Sequence, residues 1–325
     1  MIDHASVIGR VADVLNRRDL NGFEETVTDD YVEDYPQSGE LIRGPRNARL
    51  VRENYPGREA GDVPVDVRTA SIAASRPRWI RTPLFTLVQV EGSGKTGVAT
   101  FRSLYPDGSW WWVVNIYELR GDRISRARMF FAPAFEPPDW RAPYREPLGT
   151  SPEAARMVRA SASADGTETS LSPAEHRAIF ERMADALNRA SFDELDDMFT
   201  EDVVEVYPQS GEVIRGLAHF RATFKNYPGG LAEANIDVDT AHVETTDARW
   251  LGAPALALVD VDASGDVGTV TFRTRYPDHS IWWNVILYQL EDRRISHLTI
   301  FFAPGFEAPE WRRPYVERVG TDTER

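Results

Sequence analysis

The chain contains no cysteine, and this absence excludes several classes of site. Without thiol groups there is no disulfide, no thiolate nucleophile and no cysteine-ligated metal. Basic residues are also in the minority, because 37 Lys and Arg stand against 51 Asp and Glu, for a net charge of −14. Nucleic-acid binding relies on clustered Lys and Arg, so the composition argues against a nucleic-acid partner.

Long hydrophobic runs are missing as well. No apolar segment approaches the roughly 20 residues that cross a bilayer, so we expect no membrane association. The first residues, Met1-Ile2-Asp3-His4, are polar and acidic and do not resemble a secretory signal. The sequence also lacks a Gly-rich phosphate loop, a nucleophile elbow and the His/Asp/Glu spacing typical of metal sites. We therefore predict a cytoplasmic protein that uses neither a metal nor a cofactor.

The most informative feature that is present is a duplication. The hexapeptide Tyr35-Pro36-Gln37-Ser38-Gly39-Glu40 recurs from Tyr207 to Glu212, an offset of 172 (208 − 36). Phe130-Phe131-Ala132-Pro133 recurs from Phe301 to Pro304, at an offset of 171 (301 − 130). A nearly constant offset over a domain length indicates two copies of one fold. We predict copy one over residues 1–146, a linker over 147–171, copy two over 172–320 and a tail over 321–325.

Each copy begins with helical patterns and ends with strand patterns. Apolar residues recur at helical spacing from Val7 to Leu15 and from Ile179 to Leu187, and Ser172 with Glu175 predicts a capping box. Two shorter helices follow in each copy. The strands predicted for copy one are Val63–Ala70, Trp79–Val90, Gly97–Tyr105, Trp110–Leu119 and Arg123–Phe131. Helices followed by an antiparallel meander indicate an α+β fold, with the helices on one face of a curved sheet.

This order of elements resembles the nuclear transport factor 2-like superfamily, and in particular its SnoaL-like (polyketide-cyclase-like) branch. The motifs that carry the resemblance are Leu15-Asn16, the Asp30/Asp202 lead-in, the repeated Tyr-Pro-Gln-Ser-Gly-Glu and the closing aromatic strand. The resemblance covers nearly all of both copies. It implies two cone-shaped domains, each a curved, mostly antiparallel sheet wrapped by three helices around an apolar pocket. It also implies that the copies pair as an intramolecular pseudo-dimer, with further oligomerisation left open.

The resemblance does not select a function, because the superfamily includes ketosteroid isomerases, epoxide hydrolases, polyketide cyclases and non-catalytic binders. The isomerases carry their proton-abstracting Asp where this chain has Tyr35 and Tyr207. Their protonated Asp corresponds to Asn115 in copy one and Ile286 in copy two. The Arg-x-Asp of the limonene-epoxide-hydrolase type is missing at Arg102. Neither mechanism is therefore carried over to this chain.

Three residues of copy one are predicted to carry the chemistry. His4 lies on the inward face of the first helix and is a candidate general base, or else a first-turn histidine without a task. By the resemblance, Tyr35 points into the cavity and donates to a substrate oxygen; the alternative is a core aromatic residue. Asn115 stands alone among apolar strand neighbours, and it either binds a carbonyl or faces the other domain. Copy one is the predicted active copy because Asn115 occupies the position that the isomerases use.

Further residues are predicted to line the two pockets. Glu40 can act as an acid or base, although a turn requirement explains its repetition as well. The matched arginines Arg43/Arg215 and Arg102/Arg273 are expected to pair with Glu40 and its twin or with nearby aspartates. The closing segments Phe135–Arg141 and Phe306–Arg312 are expected to form arms that pack across the other domain. The predicted substrate-binding set is Glu40, Trp79, Trp112, His176, Tyr207, Trp250 and Asn284.

Together these features predict a cofactor-independent acid/base enzyme of the cyclase, isomerase or hydrolase type. Its substrate would be a hydrophobic, oxygen-containing small molecule. Two alternatives stay open: a non-catalytic small-molecule binding protein, and a scaffold whose pockets are filled by their own aromatic side chains. A titratable group with a shifted pKa inside the cavity would favour the enzyme over the binding protein.

Overall fold

The computed structural model of the protein describes residues 3–55, 85–104, 110–149, 171–227, 256–275 and 280–319. The predicted strand Val63–Ala70, Trp79, Trp250 and most of the predicted linker lie outside the described residues. The chain divides into two compact units, and no helix in the described part is long and apolar enough to cross a membrane.

The first repeat folds in the predicted order, with helices before the long strands. Asp3 caps the first helix, where its carboxylate accepts a hydrogen bond from the Ser6 backbone N–H at 3.1 Å. The elements are α1 (His4–Asn16), α2 (Leu20–Thr26), β1 (Val27–Tyr35), β2 (Glu40–Arg43), α3 (Gly44–Glu53), β3 (Phe85–Ser93), β4 (Thr96–Leu104), β5 (Trp110–Arg120) and β6 (Arg123–Pro133).

The second repeat has the same order of elements. The predicted capping box is present, because Ser172 Oγ accepts from the Glu175 N–H at 3.3 Å and Glu175 accepts from the Ser172 N–H at 2.8 Å. The predicted second helix is a 3₁₀ helix, Phe192–Asp197. The elements that follow β6 are β7 (Arg145–Pro147), α4 (Pro173–Asn188), β8 (Phe199–Tyr207), β9 (Glu212–Arg215), α5 (Leu217–Lys225), β10 (Leu256–Ser264), β11 (Val267–Arg275), β12 (Ile281–Glu291), β13 (Arg294–Pro304) and β14 (Glu317–Arg318).

In the described residues, each unit has a seven-stranded mixed sheet. The strand orders are β14-β2-β1-β6-β5-β4-β3 in the first unit and β10-β11-β12-β13-β8-β9-β7 in the second. The four long strands of each sheet pair antiparallel, whereas β1 pairs with β6 and β8 with β13 in parallel. The predicted α+β class with a mostly antiparallel sheet is therefore confirmed.

Each sheet is completed by a segment that follows the other repeat in sequence. The first unit takes in the chain up to Ala134 and again from Phe306, whereas Phe135 and the residues after it belong to the second unit. In the first unit β14 pairs with β2, and in the second unit β7 pairs with β9. The two predicted arms are present, because Arg141 and Arg312 bind Glu212 and Glu40 of the other repeat, and each arm extends beyond its predicted end into β7 or β14.

The core of each unit lies between the helices and one face of the sheet. Because side chains alternate along a strand, Val113, Asn115 and Tyr117 share the face that the helices cover, and Tyr117 reaches His4 on α1. In the second unit the corresponding face of β12 carries Asn284, Ile286 and Tyr288. The two asparagines and the two histidine–tyrosine pairs therefore lie on this face.

Candidate functional site

The turn motif that the two repeats share ties strand ends together. The side-chain amide of Gln37 donates to the Phe131 carbonyl at 2.9 Å and accepts from the Phe131 N–H at 2.5 Å. Gln209 binds Phe302 in the same way, at 3.0 and 2.6 Å. Gly39 lies at a φ of 64°, where a side chain would be strained. The glutamine therefore has a structural task that accounts for its repetition.

The glutamate of the motif is neutralised by an arm. Glu40 is 1% exposed; it accepts from Ser38 Oγ at 2.6 Å and from Arg312 Nε at 3.2 Å, and Arg312 Nη2 binds its second oxygen. Glu212 has the same arrangement with Ser210 and Arg141. The expected partners were wrong: Arg43 and Arg215 pair instead with the arm carboxylates Glu317 (2.8 Å) and Glu146 (3.1 Å). A buried bidentate pair leaves Glu40 no free oxygen for a substrate.

The two matched histidines fasten a helix start to the sheet. His176 accepts from the Tyr288 hydroxyl at Nδ1 (2.8 Å), and its Nε2–H donates to the Gly265 carbonyl (2.9 Å). His4 Nδ1 lies 3.0 Å from the Tyr117 hydroxyl. Burial lowers the pKa of both imidazoles, so both are neutral at physiological pH. Both ring nitrogens of His176 are used within the protein, and the general-base role of His4 stays a prediction.

The tyrosine that packs against each histidine requires a glycine on the neighbouring strand. A methyl group at Gly97 would lie 2.5 Å from the Tyr117 hydroxyl oxygen, and Gly268 meets Tyr288 in the same way. These glycines therefore make room for the phenols, which in turn hold α1 and α4 at the sheet.

The two asparagines lie on the helix-covered face, as the alternation of strand residues predicts. Asn115 is 8% exposed and Asn284 is 7% exposed. The Asn284 amide donates to Thr274 Oγ1 at 2.8 Å. The Oδ1 atoms of both asparagines are buried and accept no hydrogen bond from the described part of the chain. A buried acceptor without a partner costs about 1–3 kcal/mol, so both carbonyls are suited to bind a donor from a ligand or water.

The tryptophan assigned to substrate binding lies on the other face of the sheet. Trp112 alternates with Val113 and Asn115 along β5, so it points away from the helices. Trp111 is the tryptophan on the helix-covered face, and Trp282 is its counterpart in the second repeat. The prediction for Trp112 chose the wrong member of the pair, because periodicity shows that two neighbours diverge but not which face is the interior.

A carboxylate that the sequence analysis missed lies at the centre of the first unit. Glu33 is 0% exposed and accepts from Tyr31 (3.0 Å), from Tyr35 and from Arg52 Nη2 (3.0 and 3.2 Å). Arg52 also donates to a helix carbonyl and stacks over Phe23 at 4.3 Å. Burial raises the pKa of both phenols well above its usual range, so they stay protonated donors. Each group in this cluster has a partner, and the Tyr35 hydroxyl is used by Glu33.

The second unit keeps the carboxylate but not its partners. By the offset of 172, Glu33 corresponds to Glu205, whereas Tyr31 is replaced by Val203 and Arg52 by Phe224. Glu205 is 1% exposed, and neither of its carboxyl oxygens has a hydrogen-bond partner among the described residues. The Tyr207 hydroxyl interacts with this carboxyl and favours its anion. One buried carboxyl is thus held by a cation and two phenols, whereas its twin has no paired cation among the described residues.

Burial raises the pKa of Glu205 to about 7. The Tyr207 hydroxyl and the Arg141 guanidinium act in the opposite direction without cancelling this effect, and Glu212 adds to it. Phe224, which replaces Arg52, packs on Phe220 at 5.0 Å between ring centroids, so this position of α5 is apolar. A carboxyl group with a pKa near neutrality in an apolar interior can donate or accept a proton at physiological pH.

This pKa makes a prediction for stability. The unfolded-state pKa of Glu205 is about 4.5 and the folded-state pKa is about 7, so the folded protein binds the extra proton between these values. The contribution of Glu205 to the free energy of unfolding is therefore largest below pH 4.5. It decreases by about 3 kcal/mol in all as the pH rises to 7. Glu205→Gln, which cannot ionise, is expected to remove this loss. Urea unfolding of the wild type and E205Q at pH 5 and pH 8 tests it; parallel pH dependences would contradict the raised pKa.

The signal that could have revealed Glu205 was in the sequence. Glu33 and Glu205 lie two residues before Tyr35 and Tyr207 and therefore on the same strand face. The partner Arg52 belongs to another helix and was not recognisable as a partner from spacing. Only the comparison of the two repeats around that face would have shown that one carboxyl keeps its cation and the other does not.

Comparisons with known proteins agree with the fold. Residues 180–298 match the SnoaL-like domain family, which confirms the family resemblance for the second repeat. No curated protein matches the chain in sequence.

Three similar solved structures each cover less than half of the chain. An NTF-2 like protein of unknown function from Burkholderia xenovorans LB400 is 24% identical, covering 42% of this chain and 89% of its own (TM-score 0.33). A ketosteroid isomerase candidate from Kribbella flavida DSM 17836 is 24% identical, covering 47% and 96% (TM-score 0.35). An LEH-like epoxide hydrolase from M. tuberculosis is 14% identical, covering 39% and 81% (TM-score 0.28). At these TM-scores the likeness carries no conclusion about activity.

Proposed function

We propose that the second repeat, a SnoaL-like domain, is an acid/base site for a hydrophobic, oxygen-containing small molecule, with Glu205 as the group that transfers the proton. The observation that carries the proposal is the pKa of about 7 for a buried carboxyl whose oxygens have no hydrogen-bond partner among the described residues. Such a group costs folding free energy, and a ligand that supplies a partner would recover it.

The first repeat is the less suitable site for proton transfer. Its corresponding carboxyl, Glu33, is paired with Arg52 and held by two phenols. The guanidinium and the two phenols therefore occupy both oxygens of Glu33, which leaves neither oxygen for a substrate. This reverses the preference for copy one that Asn115 suggested.

Proton transfer by a carboxyl group needs no cofactor. In its protonated form Glu205 would donate to a carbonyl or epoxide oxygen, and as the anion it would remove a proton from carbon or water. The Oδ1 atom of Asn284 would accept a hydroxyl hydrogen from the same ligand. Glu205 is in register with Leu298 and, through it, with Tyr288, and Asn284 lies four residues along β12 from Tyr288, so a ligand that contacts both groups would extend along the sheet.

A thermal-shift screen followed by turnover assays tests the proposal. The panel contains apolar ketones, epoxides, polyketide-like aromatics and terpenoids, and a ligand at 100 times its Kd should add about 2.7 kcal/mol. For the ligand class that binds, E205Q is expected to keep binding but to lose turnover by about 10²-fold or more. Glu201→Gln, on an exposed position of the same strand, is the matched control and should leave both unchanged.

Other outcomes would contradict the proposal in different ways. If a ligand binds but the wild type converts it no faster than E205Q does, the domain is a binding protein. If no compound class shifts the melting temperature, the interior is filled by its own side chains and the proposal fails.

A further inference from the structure

We propose that the turn motif of the first repeat is a docking site that can take the arm of a second copy of this chain, giving an arm-exchanged dimer. The docking site comprises Tyr35, Gln37, Gly39, Glu40 and Tyr55. The arm is the segment 306–319.

The arm is held at its two ends by the backbone of the docking site. The Phe306 N–H donates to the Gln37 carbonyl at 3.1 Å, and the Val319 N–H donates to the Gly39 carbonyl at 2.9 Å. Between them β14 pairs with β2, and within the described strands it forms that edge of the sheet. This is the addition of an extended segment to a sheet edge, a common way for proteins to bind peptides.

Side chains in the middle of the arm supply the specific contacts. Arg312 forms the buried bidentate pair with Glu40 and lies over the Tyr35 ring at 5.1 Å. Trp311 meets the Tyr55 ring edge-on at 5.5 Å. A buried arginine and a packed tryptophan are typical anchors of an interface.

The two arms of the chain make equivalent contacts. Arg141 binds Glu212, Trp140 packs on Tyr227 at 5.3 Å, and the Phe135 N–H donates to the Gln209 carbonyl at 3.2 Å. The docking residues are identical in the two repeats. Among the described residues, the contacts of each arm are thus made to groups that a second copy of the chain also presents.

The connection through Gly305 explains why docking within one chain is the usual state. A short connection gives an effective concentration of about 1 mM, so a docked-to-released ratio of about 100 corresponds to a Kd of about 10 µM between chains. In the wild type each arm therefore docks within its own chain. Arm-exchanged dimers form when docking within the chain is blocked.

Two variants and their mixture test the inference. Arg312→Ala removes the anchor of the arm but keeps the docking site, whereas Glu40→Ala removes the docking site but keeps the arm. Release of the arm lets the remaining charge become hydrated, so both variants should fold. When the two variants are mixed at about 100 µM each, about ten times the Kd, we expect multi-angle light scattering to show a one-to-one heterodimer. Neither variant should dimerise when it is alone at the same concentration.

Arg313→Ala is the matched control. Arg313 is exposed and pairs with Glu310 within the arm, so this variant keeps docking within the chain. R313A mixed with E40A should not form heterodimers. If E40A does not fold, Glu40→Gln replaces it.

The inference is overturned if R312A and E40A, both folded by circular dichroism, stay monomeric in the mixture. It is also overturned if limited proteolysis cuts the arm no faster in R312A than in the wild type, because docking would then not depend on Arg312. A labelled peptide with the sequence of residues 305–319 gives an independent reading. It should bind R312A and fail to bind E40A.

Discussion

Replacing Arg52 by methionine is expected to lower the free energy of unfolding of the first unit by about 3 kcal/mol. The side chain of Arg52 is only 19% exposed, and its partner Glu33 is 0% exposed. Methionine keeps an apolar side chain of similar length but removes the guanidinium, which stacks on Phe23 and is the only cation that pairs with Glu33 in the described residues. The loss comes from a buried negative charge that is left with two phenol donors alone. Urea unfolding at neutral pH measures it.

The same helix offers the control for this prediction. Arg49 pairs with Glu24 and Glu53, whose side chains are 35% and 33% exposed, so Arg49→Met should cost about 1 kcal/mol or less. The double variant R52M/E33Q should regain most of the stability, since both partners of the pair are then uncharged. Equal losses for R52M and R49M would show that the buried pair contributes nothing special.

Replacing Phe224 by arginine is expected to abolish the acid/base capacity of the second repeat. Phe224 stands at the position of Arg52, so the new guanidinium would reach Glu205 as Arg52 reaches Glu33. An opposite charge at hydrogen-bonding distance lowers a carboxyl pKa by about 1–3 units, and here it would also replace the apolar ring. The pKa of Glu205 should fall from about 7 to below 5. Turnover at pH 7 should fall by at least tenfold.

Carbon-13 NMR of labelled glutamate side chains measures this pKa directly, with E205Q identifying the resonance. Phe224→Met is the control, because it removes the ring without adding a charge and should leave the pKa near 7. A Glu205 pKa that is the same in F224R and F224M would mean that the lost cation does not explain the difference between the repeats. A wild-type value near 4.5 would remove the basis of the proposed function.

Much of the fold followed from local patterns. The helix at Pro173–Asn188 was predictable because its cap, its first-turn proline and its apolar stripe all lie within one stretch of sequence. The strands from Trp110 to Pro133 were predictable because their β-branched and aromatic residues also lie within one stretch of sequence. The short strands β7 and β14 were not, because two or three residues carry no periodicity and form only by pairing with β9 and β2.

The candidate site depends on contacts that no local pattern records. Glu40 meets Arg312 across 272 positions of sequence, and Tyr117 meets His4 across 113, so neither pairing has a spacing that could be recognised. The same holds for Arg52, which lies 19 residues from Glu33 on a different element. Folding supplies Tyr35, Glu40 and His176 with partners in this way, whereas the Oδ1 atom of Asn115 accepts no hydrogen bond from the described residues.

The sequence by itself determined the duplication, the α+β class, the arms and which residues of a strand share a face. These properties follow from repetition and from the periodicity of the backbone, which act over a few residues. Only the tertiary structure decided which carboxyl is paired. Whether a buried acid is held as an ion or has its pKa raised toward neutrality depends on the charges that the fold places within a few ångströms. Glu33 and Glu205 occupy the same strand position in the two repeats. Glu33 is paired with Arg52, whereas burial raises the pKa of Glu205 to about 7.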